Sequence, residues 1–218
     1  MKMSDESYLA AMVFNTVYVP ALKKLSNDHN ESTLVNNLRL ALQNADAEQP
    51  GFLFEFLKRL ASKCDIRLNF QECMLRMQAT LPAEDFSIGD AYSNRNGVDP
   101  LYQELSYRAV NLRKVLSRIP DEMSDRRTFL ETIKEIASCI KKLLDAANTL
   151  IQTLPERSSQ SAALEQRKRE FVKYSKRFSN TLKDYFKGED PVTVYANANQ
   201  LIYQTSLMIK VVPERVMF

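Results

Sequence analysis

From Phe129 to Leu154 the apolar residues recur as Phe129, Ile133, Ile136, Ile140, Leu143, Ala147, Leu150 and Leu154, alternating steps of four and three without a miss. That spacing puts every one of them on the same side of a helix, and at 3.6 residues per turn the run makes about seven turns. It opens after Pro120, with Asp121 and Ser124 as candidate caps, and stops at Pro155, which cannot continue a helix. Three further stripes lie around it. Leu105, Ala109, Leu112, Leu116 and Ile119 mark a helix over Leu101 to Arg118, and Leu164, Phe171, Phe178, Leu182 and Tyr185 mark one over Ser159 to Lys187. The last, Pro191 to Val212, carries Tyr195, Ala198, Ile202, Thr205, Ile209 and Val212, with Asp190 as N-cap and Pro191 at the first helical position. Four amphipathic helices with short joints predict a four-helix bundle over residues 101–218, and each stripe is read first as core packing.

Residues 1–80 are organised differently. Leu9, Met12, Val13 and Val17 form a stripe that ends before Pro20, and Leu34, Leu38 and Ala41 form a second. A third helix begins near Pro50 and carries Phe52, Leu53, Phe54, Phe56, Leu57, Leu60 and Ala61; a fourth starts at Asn69, which can cap while Glu72 reaches back as in a capping box, and bears Phe70, Cys73, Met74, Leu75 and Met77. The third helix is apolar almost all round, so it needs burial on several sides, and so short a segment has little interior to offer. Burial against a second chain is the expected solution, each large apolar side chain contributing roughly 1.5–3 kcal/mol when fully covered. Between the two modules, Pro82, Gly89, Ser93, Asn94, Asn96 and Gly97 are turn chemistry, which makes residues 81–100 a linker. No segment alternates as a strand, so the whole chain is predicted to be all-α.

The residues needed for most site chemistry are scarce. Cys64, Cys73 and Cys139 are odd in number, far apart and without a CxxC pair, which argues against a disulfide framework or a zinc site. His29 is the only histidine, leaving no material for the usual triads. Gly51, Gly89, Gly97 and Gly188 are too dispersed to build a phosphate loop. The net charge of +3 is mild, which gives no cue for nucleic acid. Scattered Ser and Thr have no activating partner at a suggestive spacing, so no enzyme, cofactor or metal is expected. Apolar stretches are broken by charges well before about 18 residues, and the amino terminus lacks the order of a signal peptide, so a cytosolic or nuclear chain is expected.

Several runs resemble one family. Leu116-Ser117-Arg118-Ile119-Pro120-Asp121-Glu122, Phe129 through Ser138 (FLETIKEIAS) and Glu170-Phe171-Val172-Lys173-Tyr174-Ser175-Lys176 are similar to the programmed cell death protein 10 (cerebral cavernous malformation 3 protein) family, as are Asn37-Leu38-Arg39, Pro50-Gly51, and Asn69-Phe70 with Met74-Leu75-Arg76-Met77. The resemblance spans nearly the whole chain. Departures are a longer loop around Asn27, a longer linker around Ser87 to Asn96, Pro155 with its following loop, and the tail after Lys210. The resemblance implies an amino-terminal helical dimerisation domain, a hinge, and a carboxy-terminal bundle similar to focal adhesion targeting domains. It further implies a cytoplasmic, non-catalytic adaptor with Golgi, plasma-membrane, cell-junction and apoptosis connections. Its partners would be a second copy or the tails of group III germinal centre kinases at the first module, and leucine-rich (LD) motifs of paxillin and similar helices from striatin and the cerebral cavernous malformation 2 protein at the bundle. Carried over by residue, the dimer face includes Leu38, Ala41, Leu60 and Ala61, and the peptide groove includes Lys134, Ala137, Ser138, Lys141, Lys176, Ser179 and Lys183.

The spacing of the groove residues has a meaning of its own. Lys134, Ala137, Ser138 and Lys141 sit three, four and seven apart and share one face beside the Ile133, Ile136, Ile140 stripe; Lys176, Ser179 and Lys183 repeat that spacing on the next helix. Two such rows would flank a trough with a floor of small side chains and positive rims, suited to an acidic amphipathic helix. The bland alternative is a solvated lysine face. A second alternative is a membrane surface, since Arg167, Lys168, Arg169, Lys173, Lys176, Arg177 and Lys183 make one helix strongly basic and could attract phosphoinositides; that helix lacks a separate exposed apolar stripe for insertion. Ser175 and Ser179 are candidate phosphorylation sites.

Overall fold

The computed structural model describes residues 6–29, 32–82, 100–155 and 158–211, the side chains of 27–29 and 32 excepted. Among the described residues every regular element is a helix. The chain falls into two compact units, Met1–Leu81 and Pro82–Phe218; most of the expected linker, residues 83–99 with Ser87 to Asn96, lies outside the described residues.

The first unit begins with α1 (Ser7–Val13), a π-helical turn (Phe14–Tyr18) and α2 (Val19–His29), which follow one another without a break. Pro20 therefore does not end the helix, contrary to the sequence expectation. A proline inside a helix lacks the amide hydrogen and crowds the carbonyl four residues back; the widened turn, in which the Val19 amide donates to the Phe14 carbonyl five residues earlier, relieves that crowding. Leu9, Met12, Val13 and Leu22 are buried, and Thr16 rather than Val17 completes the inward face. Gln78 Nε2 donates to Thr16 Oγ1 at 2.9 Å, a buried bond joining the π turn to α5 (Phe70–Thr80). The backbone around Asn27 is helical, where a loop was expected.

Gly51 opens α4 (Phe52–Lys63) at φ 91°, a left-handed conformation in which any other residue would be strained. Asp46, in α3 (Ser32–Glu48), accepts from the Leu53 amide at 3.1 Å, and Tyr18 donates to the Leu53 carbonyl at 2.9 Å, so the π turn, α3 and α4 are tied at one point. Burial, and secondarily the Asp46 charge, push the Tyr18 phenol above its ordinary pKa, which keeps it a donor. Asn69 caps α5 by accepting from the Glu72 amide at 3.2 Å. Only half of the expected capping box forms, because the Glu72 carboxylate pairs forward with Arg76 at 2.9 Å.

The second unit contains α6 (Pro100–Ser117), a short α7 (Ile119–Glu122), α8 (Arg126–Thr153), α9 (Ser159–Tyr185) and α10 (Pro191–Ile209). Contacts run α6 to α8, α8 to α9, α9 to α10 and α10 back to α6, which closes a four-helix bundle. Phe129, Ile136, Leu143, Ala147, Leu150, Phe171, Phe178, Ala198, Leu201 and Ile202 form its interior. The cap of α8 is Asp125, accepting from the Arg127 amide at 3.0 Å, not Asp121 or Ser124, because Pro120 is taken up in α7. Ser158 caps α9 and Asp190 caps α10 through the Val192 amide at 2.8 Å, with Pro191 at its first turn as expected. α10 ends at Ile209, and Val212, expected on its stripe, lies outside the described residues.

Candidate functional site

α8 and α9 approach each other over fewer residues than α6 with α8 or α9 with α10. The opening between them is an open cleft of about 470 Å³ lined by Ala137, Ile140 and Leu144 from α8 and by Val172, Ser175, Lys176, Ser179, Asn180 and Lys183 from α9. Of the seven residues expected in a peptide groove, Ala137, Lys176, Ser179 and Lys183 line it; Lys134, Ser138 and Lys141 are exposed on α8 but do not. The sequence reading put Ile133 and Ile140 in the core. Both are half-buried, and Ile140 instead joins Leu144 and Val172 in a floor bulkier than the small-residue trough expected. A signal for this existed: Ile133, Ala137, Ile140 and Leu144 form a second stripe at steps of four, three and four, one residue out of phase with the buried one.

The two serines differ. Ser175 is buried and donates to the Phe171 carbonyl at 2.9 Å, whereas Ser179 is exposed and donates to the Ser175 carbonyl at 3.0 Å. Both hydroxyls are turned back on their own helix, leaving lysines as the chief polar groups offered to a ligand. Lys168 Nζ donates to Asn148 Oδ1 at 3.0 Å across α8 and α9, which fixes their separation near one end.

A second open cleft, about 610 Å³, runs along the other exposed side of α9 and is lined by Arg169, Val172, Lys173, Lys176, Arg177, Asn180, Thr181 and Asp184. Among the described residues Arg169 pairs with Glu165 at 2.9 Å and Asp184 with Lys187 at 3.0 Å, while Lys173, Lys176 and Arg177 form no ion pair.

In the first unit Leu38 is 46% exposed, Leu60 is 48% exposed and Ala41 is exposed, on the neighbouring helices α3 and α4. Ala61 is the exception. At 7% exposure it packs within its own unit, so it is not available to a partner in this conformation. Leu34, Leu40, Phe52 and Phe56 add to the exposed apolar surface, Phe52 and Phe56 stacking with ring centroids 6.0 Å apart. The sequence pattern marked this helix as apolar all round without distinguishing its inner side, Leu53, Phe54 and Ala61, from its outer one.

Cys73 and Cys139 offer no activated thiolate. Burial first, and then a neighbouring glutamate (Glu72 or Glu135), raise the thiol pKa of Cys73 and Cys139 above the ordinary value. No group of metal-holding side chains occurs among the described residues, and none of their helices is long and apolar enough to cross a membrane.

Comparison with known proteins accounts for both units. Residues 6–67 match the family model described as programmed cell death protein 10, dimerisation domain, and residues 68–184 match that of the carboxy-terminal domain. That division falls before α5, whereas the compact units divide after it. A curated relative, the programmed cell death protein 10 homolog of Caenorhabditis elegans, is 43% identical over 218 aligned residues, covering 98% of each chain. With its exposed apolar face inside the matched dimerisation domain and a closed helical bundle following it, the chain belongs to the programmed cell death protein 10 family.

Proposed function

We propose that this chain is a non-catalytic adaptor that pairs through α3 and α4 of the first unit and receives an acidic amphipathic helix between α8 and α9. Pairing is supported by the match to a dimerisation domain together with the exposure of Leu34, Leu38 and Leu60. The observation carrying the second half is a cleft with an apolar floor, Ala137, Ile140, Leu144 and Val172, and lysines at its edge, Lys176 and Lys183. Leucines of the guest would lie on the floor and its aspartates near the lysines. An exposed Lys–Asp pair is worth roughly 0.2–1 kcal/mol and a fully buried leucine roughly 1.5–3, so leucines hold the guest and lysines orient it. Lys134, Ser138 and Lys141, one face along α8, act as an outer rim.

This reading carries with it the partners that the family resemblance implies: a second copy or a group III germinal centre kinase tail at the first unit, and LD-type helices of paxillin, striatin or the cerebral cavernous malformation 2 protein at a bundle akin to focal adhesion targeting domains. It also carries a cytoplasmic location near Golgi and plasma-membrane assemblies. Titration with a leucine-rich acidic helical peptide tests it. Ala137→Asp, placing a carboxylate on the floor, is expected to weaken binding about tenfold or more, the equivalent of about 1.4 kcal/mol, and Lys134→Ala by no more than about twofold; equal losses would overturn the assignment of roles. The basic cleft of Arg169, Lys173, Lys176 and Arg177 favours a second reading, attraction to phosphoinositide membranes. Sedimentation with and without phosphoinositide-bearing liposomes separates the two.

A further inference from the structure

The two clefts on α9 are not independent. Val172, Lys176 and Asn180 line both, and at spacings of four they form a single ridge along the helix, with the apolar cleft on one side and the basic cleft on the other. We propose that Lys173 and Arg177, beyond that ridge, are a second subsite that takes a run of carboxylates flanking the leucine-bearing segment of the partner, so that the guest is read as a helix followed or preceded by an acidic tail. This rests on the cleft reading above and extends it to the chemistry of the guest outside the cleft.

Three observations support it. Lys173, Lys176 and Arg177 are exposed, lie within one helical turn and form no ion pair among the described residues, so they gain from an incoming anion without giving up a partner. The ridge is low at Asn180, whose short side chain follows the long Lys176, giving an extended segment a place to cross. Finally, among the described residues the exposed large apolar side chains of this unit are Tyr107, Leu130, Phe186 and Val192, none of them in the basic cleft; a surface built for bilayer insertion would carry such groups beside its charges, and a carboxylate tail needs none.

Geometry fixes the spacing. A helix with its side chains is about 10–12 Å across, and an extended chain advances about 3.3–3.6 Å per residue, so about three or four residues must separate the last leucine from the first acidic group. Exposed pairs are individually weak, and a few acting together should tighten binding about threefold to tenfold at low ionic strength, an advantage that salt removes.

The test is an anisotropy titration of the full chain with three labelled peptides. One is an amphipathic helix with leucines at i, i+3 and i+7 and aspartates between; the second adds a four-residue Gly-Ser spacer and four glutamates; the third adds the same spacer and four glutamines. The glutamate tail is expected to lower Kd about threefold to tenfold relative to the glutamine tail, an effect within the range of a few exposed ion pairs. The gain should vanish in the Lys173→Ala, Arg177→Ala double variant while the untailed helix binds that variant as it binds the wild type. If the untailed helix binds but the glutamate tail adds nothing, or its gain survives in the double variant, the subsite is overturned and the cleft reading stands. If the untailed helix does not bind, both fall. Should the double variant lose phosphoinositide liposomes yet keep the full tail effect, these cations belong to a lipid surface and the proposal is overturned.

Discussion

In the first unit α3 and α4 leave Leu34, Leu38, Leu40, Phe52, Phe56 and Leu60 exposed, while in the second unit Phe129, Phe171 and Phe178 are at most 1% exposed inside the ring formed by α6, α8, α9 and α10. Four helices meeting in a ring give each stripe two neighbours to bury against, so the second unit closes its core with its own residues. In the first unit α4 packs against α1 and α3, and, being apolar on both sides, it buries only the side bearing Leu53, Phe54 and Ala61 and leaves Phe52, Phe56 and Leu60 exposed. The first unit thus leaves apolar surface exposed inside a matched dimerisation domain, whereas the second covers its core by itself. On the reading proposed above, the bundle would hold its guest in a shallow cleft without relying on that guest for its own stability.

That contrast is broken most directly by Leu38→Asp with Leu60→Asp. If both leucines are covered in a symmetric pair, four side chains are lost from the interface, on the order of 6 kcal/mol at the low end of their burial worth. Light scattering should then report the monomer mass while the helical signal of the bundle persists; an unchanged mass would contradict the account of the first unit. Next in size, Phe171→Ala should destabilise the second unit by about 3–5 kcal/mol, seen as an earlier urea midpoint with self-association intact. A smaller effect is expected of Thr16→Val, which strands the buried Gln78 amide at about 1–3 kcal/mol; adding Gln78→Leu should recover most of the loss in the same unfolding assay. The smallest concerns the cap of α8. The Thr128 hydroxyl, and then the Arg127 amide, hold the Asp125 carboxyl below its ordinary pKa of 3.8. A depressed folded-state pKa contributes stability that is present above 3.8 and is lost as pH falls through the folded value. The melting temperatures of wild type and Asp125→Ala should therefore differ at neutral pH and converge in acid.

Much of this architecture was legible in the residues. The four bundle stripes, the caps at Asn69 and Asp190 and the stop before Pro155 all follow from local rules, because periodicity and capping depend on near neighbours. What was not legible depended on distant neighbours. Ala61 resembles Ala41 in chemistry, and only the packing of α4 within its unit turns one inward while the other stays exposed. Ile140 looks like part of the core stripe until the spacing of α8 and α9 leaves it half-covered. Pro20 reads as a break, since a one-dimensional pattern cannot foresee a turn that widens to accommodate it. The dimer face and groove residues came from family likeness, which gave Ala137 of the cleft floor but not Ile140, Leu144 or Val172.

The wide turn at Phe14–Tyr18 has a consequence for steering. Each residue of an α-helix rotates its successor by about 100°, and a π turn withholds roughly one such step. Downstream of it, α2 leans on α3, whereas upstream α1 leans on α4. One imino acid thereby sets the azimuth at which the rod hands its load from one neighbour to the other, and with it the bearing of the leucines that α3 carries outward.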